Sequence, residues 1–337
     1  MRRRLAVNLT VLVTFGIAAT PDAGQAPPDT AAPSYTAPRT PDGQPDLQGF
    51  WTNATYTPLE RASGVTGPFY TEEEAAARET GAAARETELT VPGTVADVHY
   101  DFTQFGLDRS QSAYVRNLRT SLIVDPPDGR IPRVTAEGER RLAARAEAQR
   151  QLGGRWDSAE ANQLDDRCII MRGAGPPLMD AAYNSNYHIV QTPDHVMILT
   201  EMIHDARIIP LVDRPLGRVP PPDPRLRQWM GISRGRWEGE TLVVETTNFN
   251  GKNPFQGSTE NLRVVERFRR VSDDVLDYAF TVEDETMWAR PWSAEAPMTK
   301  TVGPLFEHAC HEGNYGLYNT LVGARLEERR AAEAAAK

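Results

Sequence analysis

The chain reads as mainly β, an antiparallel meander closing into a lipocalin-like barrel or folding into a sandwich. An irregular, partly helical N-terminal third precedes it and a C-terminal helix follows. Three observations carry this reading. Between Tyr183 and His311, short runs of β-branched and aromatic residues recur, and the clearest of them alternates strictly with polar residues. Turn-forming tripeptides rather than helical stretches separate the runs. Helical patterns sit only before this region and at the extreme C-terminus.

Taken in order, Met1-Arg-Arg-Arg4, the apolar Leu5 to Ala19 and the small, polar residues to Ala26 have the make-up of a secretory signal, residues 1–26. The apolar stretch is too short to span a bilayer. Residues 27–46, rich in Pro, Ala, Asp and Thr, suggest a flexible arm. Residues 47–165 are expected to form the irregular and helical wrap, docking first at Leu47-Gln-Gly-Phe-Trp51. Thr71-Glu-Glu-Glu74 has capping-box spacing and opens an Ala/Glu/Arg helix expected to break near Gly81. A second helix is expected over Glu137–Leu152, ended by Gly153-Gly154.

Residues 166–322 form the expected β domain. Leu276, Tyr278, Phe280 and Val282 alternate with Asp277, Ala279, Thr281 and Glu283, the period of a half-buried strand. Leu242–Thr247, Val264–Phe268 and Tyr187–Gln191 look alike, and Thr192-Pro-Asp194, Glu238-Gly-Glu240 and Ser272-Asp-Asp274 supply tight turns. Pro220-Pro-Pro222 marks one long loop. A sheet of this kind protects its edges by closing on itself. Residues 323–337 read as the C-terminal helix.

The formal net charge is −9 over 337 residues. Removing residues 1–26 takes away three Arg and one Asp, so the remainder is more acidic still. An acidic surface argues against nucleic acid or anionic membrane as partner and leaves a small molecule as the expected ligand. The composition does not indicate an oligomeric state.

Cys168 and Cys310 are the chain's two cysteines, and in an oxidising compartment such a pair reads first as a disulfide. Closing a loop of this length stabilises a fold by up to roughly 5 kcal/mol in the chain-entropy model. The competing idea, Cys310 as a nucleophile beside His311, is weaker because strand neighbours face opposite ways.

Two polar knots stand out. His308-Ala-Cys-His-Glu-Gly-Asn-Tyr315 follows the apolar Pro304-Leu-Phe306, and Glu201-Met-Ile-His-Asp-Ala-Arg207 lies inside another apolar run. Burying such groups without partners costs several kcal/mol, so the two knots are expected to converge. Two geometries are open for the Glu201 knot: a continuous strand, or a tight turn at His204-Asp205 on a barrel rim. The bland reading is an ion-pair network tying strands together. The functional one makes His204 and His311 acid/base residues tuned by Asp205 and Glu312. Glu201, Arg207, Asn184, Tyr187, Tyr315 and Trp292 would then bind the ligand.

Other constellations weigh less. Gly231-Ile-Ser-Arg-Gly235 matches G-x-S-x-G, but no strand-to-helix elbow follows, and Ser233 reads as a turn serine. His311-Glu312 begins like a zincin helix, yet position 315 is Tyr. No metal or cofactor is therefore expected, although His204, His311 and carboxylates would be the donors of a metal-dependent hydrolase. Among six Trp, Trp288 and Trp292 flank Arg290-Pro291 and are candidates for a mouth that stacks on a ring, although core or edge packing is the commoner role for any one of them.

Six segments together resemble an uncharacterised family of secreted bacterial proteins. They are Pro41–Trp51, Tyr183–Tyr187, Glu201–Pro210 (with His-Asp-Ala-Arg-Ile-Ile-Pro), Trp237–Val244, Arg290–Trp292 and Cys310–Tyr315 (Cys-His-Glu-Gly-Asn-Tyr). The resemblance implies one coherent module over about residues 38–328 and carries no activity with it. The resulting expectation is a secreted or periplasmic β-barrel enzyme performing cofactor-free acid/base chemistry: an isomerase, lyase, cyclase or hydrolase. The alternative is a periplasmic small-ligand-binding protein without catalysis.

Overall fold

The computed structural model describes residues 35–88, 117–154, 156–171, 173–181, 183–212 and 220–336. The expected signal, residues 1–26, lies outside them. Among the described residues, one sheet of eleven strands forms a nearly closed barrel. The strands are β1 (Gly49–Thr52), β2 (Ile123–Asp125), β3 (Asn186–Gln191), β4 (His195–Thr200), β5 (Ala206–Pro210), β6 (Ile232–Glu238), β7 (Thr241–Thr247), β8 (Arg263–Arg270), β9 (Val275–Glu283), β10 (Trp292–Glu295) and β11 (Met298–Lys300). The helices are α1 (Glu72–Glu88), α2 (Ala136–Gln151) and α3 (Tyr315–Ala335).

The wall runs β5-β4-β3-β1-β11-β9-β8-β7-β6, and each neighbouring pair is antiparallel. Nine strands of alternating direction leave the first and last pointing the same way. The seam between β5 and β6 is accordingly parallel, made by the Leu211–Gly235 bridge with Val212 N–H donating to Gly235 O at 2.8 Å. Gly235 permits this approach. A Cβ there would sit 3.0 Å from Leu211 Cδ2 and 3.1 Å from Ile209 Cγ2, inside normal packing distance.

The period-two reading of β9 is what the barrel uses: Leu276, Tyr278, Phe280 and Val282 are buried and the residues between them are not. Interior aromatics form a chain of tilted and edge-on contacts. Phe268 and Tyr278 centroids lie 4.9 Å apart, Tyr278 and Phe280 5.9 Å, and Phe280 and Trp292 6.0 Å. The core is thus filled by side chains. The capping box is present as expected, with Thr71 N–H donating to Glu74 Oε2 (2.9 Å) and Glu74 N–H to Thr71 Oγ1 (3.2 Å).

Four boundaries differ from expectation. Residues 47–165 are not only a wrap, because β1 is a wall strand between β3 and β11, and β2 pairs β10. At four and three residues these strands carry no readable period. The flexible arm 27–46 is docked from Ala37 onward. Gln44, buried, donates through Nε2 to Thr192 O (3.0 Å) and Pro193 O (3.1 Å) and accepts from Trp237 Nε1 (3.0 Å). Helix α1 continues through Gly81, since one interior glycine costs only about 1 kcal/mol. Helix α3 begins at Tyr315, capped by the Asn314 side chain, which accepts from Leu317 N at 3.2 Å.

Cys168 and Cys310, separated by 142 residues, form the disulfide. Replacing both with Ala is expected to lower unfolding free energy by roughly 2–5 kcal/mol, read from urea denaturation. Gly235→Val is expected to cost about 1–3 kcal/mol by overpacking the seam; a variant as stable as the parent would refute the close-approach role of this glycine.

Candidate functional site: the cleft at the barrel seam

The two knots meet. Glu201–Asp205 is the β4–β5 turn at the barrel rim, the second of the two geometries. Ile203 (φ 62°) and His204 (φ 48°) occupy the left-handed region in succession, which costs non-glycine residues of order 1–3 kcal/mol each. The surroundings hold the turn in place. Ile203 packs against Cys168, Ala174, Met171 and Cys310, and His204 Nδ1–H donates to His308 O at 3.2 Å. Since a carbonyl can only accept, that contact places the proton on Nδ1. Buried Glu201 accepts from Asn186 Nδ2 (2.6 Å) and from Phe306 N (3.4 Å). Asn314 Nδ2 donates to Asp166 O at 2.9 Å, tying the start of α3 to the body.

Meeting does not make a pocket of these groups. His204, Asp205, His311, Glu312 and Tyr315 are all exposed to solvent. Asn184 is half-buried with φ 50°. Tyr187 points into the core, where its hydroxyl donates to Asn53 Oδ1 (3.2 Å). Trp292, a candidate for a mouth, is completely buried among Phe280, Phe255 and Trp288. Strand β10 is flanked on both edges, so its inward residues join the core. Among the described residues no three His, Cys, Asp or Glu side chains gather as metal ligands.

Arg207 is different. It faces the barrel interior, only 5% exposed, and pairs with Glu266 of β8, which is 0% exposed. The pair is bidentate: Nη1 to Oε1 at 3.2 Å and Nη2 to Oε2 at 2.7 Å. Tyr278 OH donates to Glu266 Oε1 (2.9 Å) and accepts from Leu178 N (2.8 Å). Burial, and then the Glu266 charge, push the Tyr278 phenol well above its ordinary pKa. Burial does the same to Tyr187, helped by Asp180. Both phenols therefore remain neutral donors. Arg207 Nε–H is buried without a partner.

Glu266 was absent from the sequence-level candidates. The signal was available, because Val264, Phe268 and Arg270 share its parity in β8 and all four are buried. Ser233 is also inside, on β6 rather than in a turn, its hydroxyl 2.8 Å from Thr246 Oγ1.

Beyond the single seam bridge β5 and β6 diverge, and the gap is a cleft of about 650 Å³. Asp205, Arg207, Ile208, Trp229, Ser233 and Arg234 line it, with Arg227, Asn250 and prolines of the 220–222 loop around them. Arg227 is fixed by neutral acceptors, donating to Phe249 O (3.1 Å) and Glu260 O (2.9 Å). Arg207 is already answered by Glu266, whereas Arg227 brings its charge to the cleft on carbonyl partners. No protein-family model, no curated protein and no solved structure matches this chain.

Replacing Glu266 with Ala strands the Arg207 charge in the core and is expected to cost about 3–5 kcal/mol in urea unfolding. The double replacement Arg207→Met with Glu266→Leu is expected to recover most of that loss, because the uncompensated charge is gone.

Proposed function

We propose that this is an exported ligand-binding protein whose seam cleft holds a small ring-bearing carboxylate. The observation that carries the reading is Arg227, exposed at the cleft and held through Nη1 by the carbonyls of Phe249 and Glu260. A guanidinium fixed through one nitrogen by neutral acceptors is pre-organised to donate from the others. Ile208, Trp229 and the prolines supply an apolar wall for the ligand's body. Export is supported by the disulfide and the signal-like N-terminus. No helix among the described residues is long and apolar enough to cross a membrane.

Acid/base catalysis by His204 and His311 would require both imidazoles to face one ligand. Both are exposed at the rim, and neither lines the seam cleft. Binding is therefore the reading the geometry favours.

Titration calorimetry with benzoate and with galacturonate is the test. Saturable binding is expected, weakening about three- to tenfold in Arg227→Ala, as loss of one charge-assisted contact implies. Raising the salt to about 0.5 M should weaken it further. Absence of saturation, or indifference to both changes, would remove the proposal.

A further inference from the structure

The seam cleft does not end at its own wall. Trp229 also lines a second cleft of about 740 Å³, bounded by the end of α2 and by the 160–170 and 252–254 loops. Its cations are Arg145, Arg167 and Lys252, and its amides include Gln149, Gln163 and Asn253. Two carboxylates, Glu160 and Asp165, lie among them. Either cleft alone has the size of a small-molecule site, so the two together exceed what one small molecule fills. The two linings share Trp229, and each carries cations and amides: Arg227, Gln228 and Asn250 in the first, Arg145, Lys252 and Gln149 in the second.

We infer that the two clefts form one groove across Trp229 that takes an acidic oligosaccharide, with a sugar ring on the indole and uronate carboxylates on the cations to either side. The inference rests on the seam cleft being a carboxylate site and extends it to a chain of such groups. Amide side chains suit the hydroxyls of a sugar, and an indole face suits its C–H surface. The interspersed Asp205, Glu160 and Asp165 accept from hydroxyls and oppose a densely charged phosphate backbone, as does the negative net charge. Ligands that engage both compartments at once gain from effective concentration.

The experiment compares galacturonate with its linear tetramer, a neutral tetrasaccharide and a single-stranded DNA tetranucleotide, by calorimetry on the full chain. The acidic tetramer is expected to bind at least about tenfold tighter than the monomer, the gain of adding linked contacts. The double variant Arg145→Ala/Lys252→Ala changes exposed side chains of the second cleft only. It is expected to bring the tetramer within about twofold of the monomer and leave the monomer unchanged. Trp229→Ala should weaken both saccharides. A tetramer no tighter than an Arg227-dependent monomer would overturn the groove and leave the seam site standing. Binding of neither saccharide would overturn both. Equal or tighter binding of the neutral tetrasaccharide or the tetranucleotide would assign the groove to a different ligand class and overturn the inference.

Discussion

Parity governs this molecule. A wall of nine strands in which every neighbour is antiparallel cannot close with another antiparallel pair. Its two ends run in the same direction, and the hydrogen bonds available to them are the slanted ones of a parallel contact. The closure here is reduced to one bridge, Leu211 to Gly235, and the wall parts beside it. The strand number sets the direction of the closing pair, and the cleft opens beside its one bridge.

That opening reaches the barrel interior at Arg207, and the interior is prepared for a charge there. Glu266 answers the guanidinium from the neighbouring wall, Tyr278 supports the carboxylate, and a backbone N–H of the 173–180 segment supports the phenol. Buried ion pairs seldom add net stability over an apolar replacement. Here the pair ties β5 to β8 across the interior of the barrel.

The C-terminal segment solves a separate problem. It crosses the β4–β5 turn and is fastened by the disulfide, by His204 on His308 O and by Asn314 on Asp166 O. Helix α3 buries no residue fully, and Arg325 adds a further tie along it, donating to Asp157 O (2.8 Å) and Trp156 O (3.0 Å). The polar residues concentrated in both knots are largely absorbed by this fastening. The His204 and His311 rings stay exposed, while His308 is half-buried with its Nδ1 covered.

Much of the architecture was open to reading from residue order. The alternation in β9, the turn tripeptides, the capping box at Thr71 and the cysteine pair are local or chemically exclusive signals, and each corresponds to what the fold does. Glu266 was legible in principle, since its parity within β8 matches Val264 and Phe268, but a charged residue at an inward position is ordinarily read as an exception. Other features had no local signal. Strands β1 and β2 are too short to show a period, and the wall position of β1 depends on partners more than a hundred residues away. Trp292 and Trp229 are the same residue type, and only packing made one of them core and the other a cleft wall. By itself the sequence determined which segments are strands and which of their faces turn inward, because side-chain period is a property of neighbouring residues. The count of strands in the closed wall, and with it the parallel seam and the cleft, was decided only when distant segments paired.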